Sequence, residues 1–368
     1  MVSVLRSFLL QNTQYTSFEK PAMHLPHSRC TYYRKRRGGF FIMCTAISFH
    51  AGSHCFGRTL DLEHDCIGTI AITPRNYPLP FRRLPVQKSH LAMIGMAAVA
   101  QEYPLYYDAM NELGLCAAGL LFTGNAHYLP EAEGKNNVAP FELIPFLLSQ
   151  CATAAQARAL LSQVNLAAIP FSDELALSPM HWMISDGRES IVIEPTQHGL
   201  AIWDNPVHVL TNNPAFDDQL TNLTQYMQLS PAAPQNTLFP GADLEPFSRG
   251  MGAIGLPGDW SSQSRFVRAA YVRATSQCSP SPNEEISQFF HMLSAVHHVR
   301  GSVIVDGKPE ITQYTSCMHA ESGVYYYTTY DRSIITGVDL RLENLDAAQL
   351  IDYPVLRSAP PVIQNARA

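Results

Sequence analysis

The chain has 368 residues, of which 46% are hydrophobic and 15% are charged, a composition typical of folded globular proteins rather than disordered ones. A formal net charge of −6 gives no reason to expect a nucleic-acid partner. No stretch approaches the ~20 consecutive apolar residues that stable insertion into a membrane requires. Eight cysteines without paired spacing do not indicate a disulfide scaffold, so we expect a cytoplasmic protein with reduced cysteines.

The first 43 residues have a different composition from the rest of the chain. They contain seven lysines or arginines and one acidic residue, which gives a charge of +6 against −12 for the remainder. Residues 1–42 show no helical or strand periodicity, and residues 34–37 form a basic run. We therefore predict that residues 1–43 are an extension outside the fold, absent from or removed in the active protein; the alternative is a docked basic arm.

After Met43, apolar alternation and continuous apolar runs predict β-strands. In chain order these are residues 44–49, 57–61, 89–100, 115–122, 190–194 and 324–330. Helical spacing predicts helices over residues 141–150, 152–164, 264–275 and 284–296. Because strands and helices occur in clusters and do not alternate, the pattern favours a layered α+β fold over a doubly wound parallel sheet. No linker interrupts residues 44–368, which we expect to form one domain.

Residues 250–255 match the dinucleotide-binding pattern G-x-G-x-x-G. That pattern needs a buried strand before it and a helix after it, whereas residues 246–249 are not strand-like and Pro257-Gly258 follows. We interpret it as a glycine-rich loop.

A group of histidines and cysteines could indicate a zinc site: His50, His54, Cys55, His64 and Cys66. The spacing of His50 and His54 suits a metal only on a helix, but residues 51–53 are typical of a turn between strands. We therefore expect no metal.

Cys44 directly follows a methionine at the point where the basic segment ends. Removal of everything up to Met43 would leave a cysteine with a free amine and a thiol on one residue. An α-amine has a pKa of about 7.7–8.0, which suits a general base at neutral pH, so such a cysteine can activate itself. The alternative is an inert core cysteine.

Several blocks from Met43 to about Pro354 occur in the order found in one enzyme family. They are Met43-Cys-Thr-Ala-Ile47, Phe56-Gly-Arg-Thr-Leu-Asp61, Tyr103-Pro-Leu-Tyr-Tyr-Asp-Ala-Met-Asn-Glu112, His181-Trp-Met-Ile184, Asp204-Asn-Pro206, Leu210-Thr-Asn-Asn-Pro214, Leu256-Pro-Gly-Asp259 and residues 261–270. The sequence closely resembles the choloylglycine hydrolases, the bacterial family that contains bile salt hydrolases and penicillin V acylases. The resemblance implies a four-layer αββα fold of the N-terminal-nucleophile type, no cofactor, and a homo-oligomer that is often tetrameric.

The resemblance also implies a role for each matching residue. Cys44 falls on the nucleophile, and Arg58 on the arginine beside it. Asp61 falls on the aspartate that holds the terminal amine, Asn212 on the oxyanion-hole asparagine, and Arg265 on a second active-site arginine. Residues three apart in a strand point to opposite faces, so Arg58 and Asp61 share a site only if their strand twists, bulges or ends there.

One position departs from the family pattern: Leu121 stands where bile salt hydrolases usually have asparagine. The oxyanion hole uses the main-chain N–H here, which leucine retains, but a polar side chain near the amino-acid part of the substrate is lost. We expect the substrate pocket to be apolar and lined by Leu60, Leu121 and a loop carrying Tyr103 and Tyr106.

The expected substrate is a conjugated bile salt, cleaved into a free bile acid and glycine or taurine. Two other functions stay open at this point. One is a penicillin V acylase or another acyl-amide hydrolase of the same family. The other is a non-catalytic binder of bile acids or lipids, which would need no terminal thiol.

Overall fold

The computed structural model describes residues 43–365, all of which lie within one compact unit. Residues 1–42, on which most of the predicted extension falls, lie outside the described residues.

Seventeen β-strands run through the described residues. They are β1 (Met43–His50), β2 (His54–Leu62), β3 (Thr69–Thr73), β4 (Met93–Ala100), β5 (Tyr103–Asn111), β6 (Cys116–Leu121), β7 (Asn136–Val138), β8 (Val164–Leu166), β9 (Met180–Ser185), β10 (Ser190–Thr196), β11 (Gly199–Asp204), β12 (Val209–Leu210), β13 (Val303–Val305), β14 (Lys308–His319), β15 (Val324–Thr329), β16 (Arg332–Asp339) and β17 (Ile351–Pro354). The described α-helices are α1 (Leu143–Leu148), α2 (Ala154–Leu161), α3 (Phe216–Leu223), α4 (Ser262–Thr275) and α5 (Pro282–Ser294).

The strands form two large antiparallel sheets. The first has the order β12-β1-β2-β14-β15-β16, with β13 paired to β14, and the second has the order β11-β10-β9-β6-β5-β4-β3-β17. A separate parallel pair joins β7 and β8. The sheets face each other where β6 packs against β1 and β2.

Helices cover the outer face of each sheet. Helices α4 and α5 pack on β1, β2 and β14, while α1 and α2 pack on β5, β6 and β10. One hydrophobic cluster joins the two sheets and α4 and α5, with members such as Phe56, Met183 and Phe266. A second cluster, with members such as Tyr106 and Leu147, fills the space under α1 and α2. The layer order is therefore αββα, which confirms the predicted fold class.

The predicted strands and the last two helices are confirmed, although their ends differ. Helix α2 ends at Leu161, and residues 164–166 form a strand, which makes the predicted helix over residues 152–164 too long. Residues 103–106, which were expected in a loop, lie in β5. Strand β5 is largely buried on both faces, so its sequence lacks the polar alternation by which a strand is recognised.

The glycine pattern at residues 250–255 is a loop, as predicted. Met251–Ala253 forms one short 3₁₀ turn, and Gly250 and Gly255 have φ values of 80° and 99°, which favour glycine. His50 and His54 pair across the β1–β2 hairpin and are not on a helix.

The β1–β2 hairpin positions the candidate site. The strands pair from Met43 opposite Asp61 to His50 opposite His54. Gly57 lets the hairpin approach β14, because a Cβ atom at this position would lie 2.0 Å from the carbonyl oxygen of Ser316. The glycine before Arg58 is thus required by close strand packing.

Candidate active site

The thiol and the backbone nitrogen of Cys44, the proposed nucleophile, lie at the start of β1. Cys44 is the second residue of that strand and is 1% exposed. It pairs with Leu60, and the neighbouring Ala46 pairs with Arg58, so these side chains share the face directed at the second sheet. Asp61 belongs to the opposite face, which α4 covers.

Three predicted residues, from three elements, contact three different atoms of Cys44. Arg58 on β2 donates from Nη2 to the Cys44 Sγ. The Cys44 backbone N donates to Asn212 Oδ1 at 2.8 Å. Arg265 on α4 donates from Nη1 to the Cys44 carbonyl oxygen at 2.6 Å, and its Nη2 donates to Asn212 Oδ1 at 2.9 Å. The structure therefore brings together four of the five predicted catalytic residues by direct hydrogen bonds.

Arg58 is fully enclosed, and main-chain oxygens hold its guanidinium in place. It is 1% exposed, and its Nη1 donates to the carbonyl oxygens of Gly119 at 2.5 Å and Tyr107 at 3.3 Å. Its Nε donates to the Thr59 carbonyl oxygen. Because these carbonyls occupy the other N–H groups, Nη2 is left directed at the sulfur.

Asp108 supplies a buried negative charge close to Arg58. Its carboxylate accepts hydrogen bonds from the hydroxyls of Tyr325 at 2.6 Å, Tyr314 at 2.8 Å and Ser316 at 3.2 Å. Burial raises the pKa of Asp108, whereas Arg58 and the three hydroxyl donors lower it, and the net result is a raised value. Sequence reasoning assigned no role to Asp108, although it lies within the family block that begins at Tyr103.

Asn212 lies just beyond β12, in a segment fixed by side chains. Its backbone N donates to the Ser262 Oγ at 2.8 Å, and Ser262 is the first residue of α4. The Asn212 Nδ2 donates to the Leu121 carbonyl oxygen at 2.8 Å. This bond links the two segments from which the sequence predicts oxyanion donors.

Asp61 approaches the site from the helix-covered side of the strand. It pairs with Met43, the residue before the nucleophile, and it is fully buried. Its Oδ1 accepts from the Thr312 hydroxyl at 2.6 Å and its Oδ2 from the Thr59 hydroxyl at 3.0 Å. Arg58 and Asp61 do point to opposite faces, and both lie beside Cys44 because β1 begins there.

Burial and the neighbouring charges both shift the pKa of the Cys44 thiol, in different directions. Burial raises the pKa of the Cys44 thiol, Arg58 lowers it, Asp61 raises it and Arg265 lowers it. The net pKa lies above the ordinary value for cysteine, because desolvation outweighs the two cations. Both arginines thus favour the thiolate, although their effect on the pKa of Cys44 does not dominate.

The predicted pocket residues occupy different places. Leu60 lies opposite Cys44, and Leu121 is connected to Asn212 through its carbonyl oxygen. Tyr106 lies in the second hydrophobic cluster, under α1 and α2, with its hydroxyl hydrogen-bonded to that of Thr73 at 2.7 Å. Tyr103 packs edge-on against Phe141, with ring centroids 5.6 Å apart. The structure therefore brings Leu60 and Leu121 to the site and does not bring the two tyrosines to the Cys44 cluster.

Three supporting residues could not be found from the sequence. The Thr45 hydroxyl accepts from Arg265, the Thr312 hydroxyl binds Asp61, and the Tyr107 carbonyl oxygen binds Arg58. Their signal is positional only: Thr45 lies beside the nucleophile, and the other two lie on strands whose pairing the sequence does not reveal.

Among residues 43–365, no group of three or more histidine, cysteine, aspartate or glutamate side chains is arranged to hold a metal ion. Within the same residues, no helix is long and apolar enough to cross a membrane.

Comparisons with known proteins identify relatives over most of the chain. Residues 44–353 match the family model of linear amide C–N hydrolases, choloylglycine hydrolase family. A bile salt hydrolase/transferase from Lactiplantibacillus plantarum is 49% identical over 318 residues, which are 86% of this chain and 98% of the relative. The crystal structure of a mutant conjugated bile acid hydrolase from Clostridium perfringens has a TM-score of 0.81 and 34% identity, covering 88% of this chain and 100% of that one. A penicillin V acylase from Agrobacterium tumefaciens, 18% identical with a TM-score of 0.65, covers 84% of this chain and 90% of its own, and shares the fold.

Proposed function

The chain belongs to the choloylglycine hydrolase family of linear amide C–N hydrolases, and from this premise we propose that it cleaves glycine- or taurine-conjugated bile salts with Cys44 as the nucleophile. The observation that carries the proposal is the convergence of Arg58, Asn212 and Arg265 on the Sγ, N and O atoms of Cys44. The substrate class is supported by the relatives named as bile salt or bile acid hydrolases.

The reaction needs a free α-amine on Cys44, so everything up to Met43 has to be absent or removed. Asp61 pairs with Met43 across the hairpin, and this register supports a role for its carboxylate at the released amine. In the described chain the Cys44 N–H donates to Asn212 Oδ1, and the freed amine would keep this bond and gain hydrogens for Asp61. The proposed role of Asp61 is to orient that amine, leaving its lone pair free to accept the thiol proton.

Acylation begins when the Cys44 thiol transfers its proton to its own amine. Arg58 stabilises the thiolate, since a cation beside a cysteine lowers its pKa. The thiolate attacks the amide carbon, and the carbonyl oxygen becomes an oxyanion. Asn212 Nδ2 and the main-chain N–H at Leu121 would donate to this oxyanion, each such donor being worth about 3 kcal/mol of barrier.

The intermediate then collapses and releases the amino acid. The ammonium of Cys44 gives its proton to the departing nitrogen of glycine or taurine, and the C–N bond breaks. The bile acyl group remains as a thioester on the Cys44 sulfur. Water attacks this thioester while the same amine accepts the water proton, and breaking of the C–S bond releases the free bile acid.

Because Leu121 replaces a polar side chain near the amino-acid part of the substrate, the preference among amide substrates is the property to test. Protein that begins at Cys44 should release taurine from taurocholate and glycine from glycocholate, and should cleave penicillin V more slowly. Faster cleavage of penicillin V would assign the chain to the acylases instead. Binding of taurocholate without any release of taurine would leave a non-catalytic binder as the function.

We also propose that the enzyme is a homo-oligomer, a tetramer by family resemblance, that works in the cytoplasm. Large apolar side chains on the segment between α3 and α4 are exposed, as a subunit contact would require: Met227, Leu238, Phe239, Leu244, Phe247 and Ile254. Six cysteines among residues 43–365 form no disulfide, as in a reducing compartment: Cys44, Cys55, Cys116, Cys151, Cys278 and Cys317. Light scattering on the eluted protein tests the first claim, and cell fractionation the second.

A further inference from the structure

A buried histidine–glutamate pair lies next to the Asn212 segment and takes no part in the proposed proton transfers. His181 on β9 is 0% exposed, and Glu194 on β10 is 2% exposed. The His181 Nε2 lies 2.8 Å from the Thr211 carbonyl oxygen, and its Nδ1 lies 3.3 Å from Glu194 Oε1. The pair therefore contacts the residue immediately before the proposed oxyanion donor Asn212.

The partners of the pair fix where its hydrogens lie. The Thr211 carbonyl oxygen can only accept, so the Nε2 of His181 carries a hydrogen. Glu194 accepts from the Phe216 backbone N at 3.0 Å and from the Trp203 Nε1 at 3.0 Å. These two N–H donors hold the Glu194 carboxyl group beside the Nδ1 of His181. One buried unit thus ties β9 and β10 to the Thr211 carbonyl and to the start of α3.

The same imidazole also contacts the segment that carries the second proposed oxyanion donor. Its ring stacks on Phe122 with centroids 4.4 Å apart and planes 6° from parallel. Phe122 directly follows Leu121, and its backbone N donates to the Pro179 carbonyl oxygen at 2.8 Å. His181 therefore fixes one segment by a hydrogen bond and the other by a stacked ring.

We infer that His181, oriented by Glu194, is the positioning residue that sets the spacing of the two oxyanion donors, Asn212 Nδ2 and the main-chain N–H at Leu121. The inference rests on the hydrolysis mechanism proposed above. His181 is fully buried, and it acts through Thr211 on one side and Phe122 on the other. A small displacement of the donors should reduce the catalytic rate far more than the affinity for substrate, because only the transition state needs both donors at once.

Two variants of His181 separate its contacts. His181→Phe keeps a ring on Phe122 but removes both hydrogen bonds, whereas His181→Gln keeps an N–H donor near the Nε2 position. We expect His181→Phe to lower kcat by about 10- to 100-fold with little change in KM, and His181→Gln to recover part of that loss. Glu194→Gln, whose amide can still form a hydrogen bond with Nδ1, should cause the smallest loss and serves if His181→Phe does not fold.

The rate at which iodoacetamide alkylates Cys44 provides a second readout. General damage to the structure would lower both alkylation and turnover, whereas misplaced oxyanion donors would lower turnover alone. This reaction needs the thiolate but forms no oxyanion, so its rate in folded His181→Phe should stay within about twofold of wild type. His54→Gln is the matched control, because His54 is 2% exposed and lies at the other end of the β1–β2 hairpin, where it hydrogen-bonds to Ser48. It should leave kcat and alkylation unchanged.

The outcomes distinguish this inference from the proposed function. Unchanged kcat in folded His181→Phe and Glu194→Gln, or equal losses of turnover and alkylation in both, would overturn the inference. Wild-type protein starting at Cys44 that releases no taurine would instead contradict the bile-salt proposal. In that case penicillin V replaces taurocholate, and the same comparison of the variants decides the role of His181.

Discussion

The two ends of the β1–β2 hairpin bury very different groups between the same two sheets. At the Cys44 end, Arg58 and Asp108 are charged and at most 1% exposed. At the His54 end, the groups buried between the sheets are hydroxyls and the His54 imidazole, whereas the buried carboxylate of Glu285 belongs to helix α5 on the outer face. The Ser48 hydroxyl lies 3.1 Å from His54 Nε2 and 2.8 Å from the Ser185 hydroxyl.

The difference shows which buried polar groups need a functional explanation. Hydroxyls and neutral imidazoles cost less to bury than charges, and hydrogen bonds among them order the sandwich. Buried charges carry a large desolvation cost, and replacing them by apolar groups would often be neutral or stabilising. Their concentration between the sheets beside one thiol, where the other end of the hairpin buries hydroxyls and an imidazole, is what chemistry at Cys44 would require.

The largest expected effect comes from removing the sulfur. Cys44→Ser keeps the side-chain shape and the bond to Arg58, but a hydroxyl is a much weaker nucleophile at neutral pH. Taurine release should fall at least about a thousandfold, whereas Cys116→Ser, which changes another buried cysteine, should retain turnover. Wild-type turnover in Cys44→Ser would mean that the Cys44 end of the hairpin, like the His54 end, has only a structural role.

Removing one oxyanion donor should have the next largest effect. Asn212→Asp retains an oxygen for the Cys44 N and Arg265 but lacks the Nδ2 hydrogens. We expect kcat to fall about 10²- to 10³-fold, while KM for taurocholate changes little. A loss confined to KM would assign Asn212 to substrate binding and not to the transition state.

A smaller effect is expected from the charge behind Arg58. Asp108→Asn removes a negative charge that partly offsets the positive charge of the Arg58 guanidinium. The cation should then stabilise the thiolate more strongly, so the pKa of Cys44 should fall. The pH profile of iodoacetamide labelling should therefore shift to lower pH. Glu285→Gln is the control, because this 1%-exposed carboxylate accepts the Gly52 N–H in the turn at the other end of the hairpin. An identical shift in both variants would contradict a local role for Asp108.

The His54 end of the hairpin should affect stability more than turnover. Burial lowers the pKa of His54 to about 4, so the unfolded chain binds a proton that the folded chain does not between that value and about 6.5. This contribution, about 3 kcal/mol at most, is present above pH 6.5 and is lost as the pH falls towards 4. His54→Gln should flatten the decline of the unfolding free energy over this range in urea titrations. If the unfolding free energy of His54→Gln depended on pH as steeply as that of the wild type, groups other than His54 would control this dependence.

Sequence reasoning succeeded where a segment carries its own pattern. The strands at Cys44 and Arg58 were predicted from alternation, and helix α4 was predicted to within two residues of its start. Strand β14 was missed, although its twelve residues lie beside β2, because it is buried along most of its length and shows no alternation. Strand β5 was expected to be a loop for the same reason.

The composition of the site was predictable only in part. The sequence pattern at Met43 pointed to Cys44, and the family resemblance implied its four proposed partners, three of which do hydrogen-bond to Cys44 or to its neighbours. Asp108 and His181 gave no signal of their own, because their relevance depends on strands and turns that meet only in the fold. Leu121 was identified by its departure from the family pattern, and its contact with Asn212 through a main-chain oxygen explains why a change of side chain leaves that link intact.

The central claim is that the sulfur and the free amine of Cys44 act together. It is tested most directly by measuring intact mass and taurine release on the same purified sample, before and after removal of residues 1–43. We predict that turnover tracks the fraction of molecules whose first residue is Cys44, and that molecules retaining Met43 are inactive. Full-speed hydrolysis by molecules that retain the peptide bond before Cys44 would contradict the account.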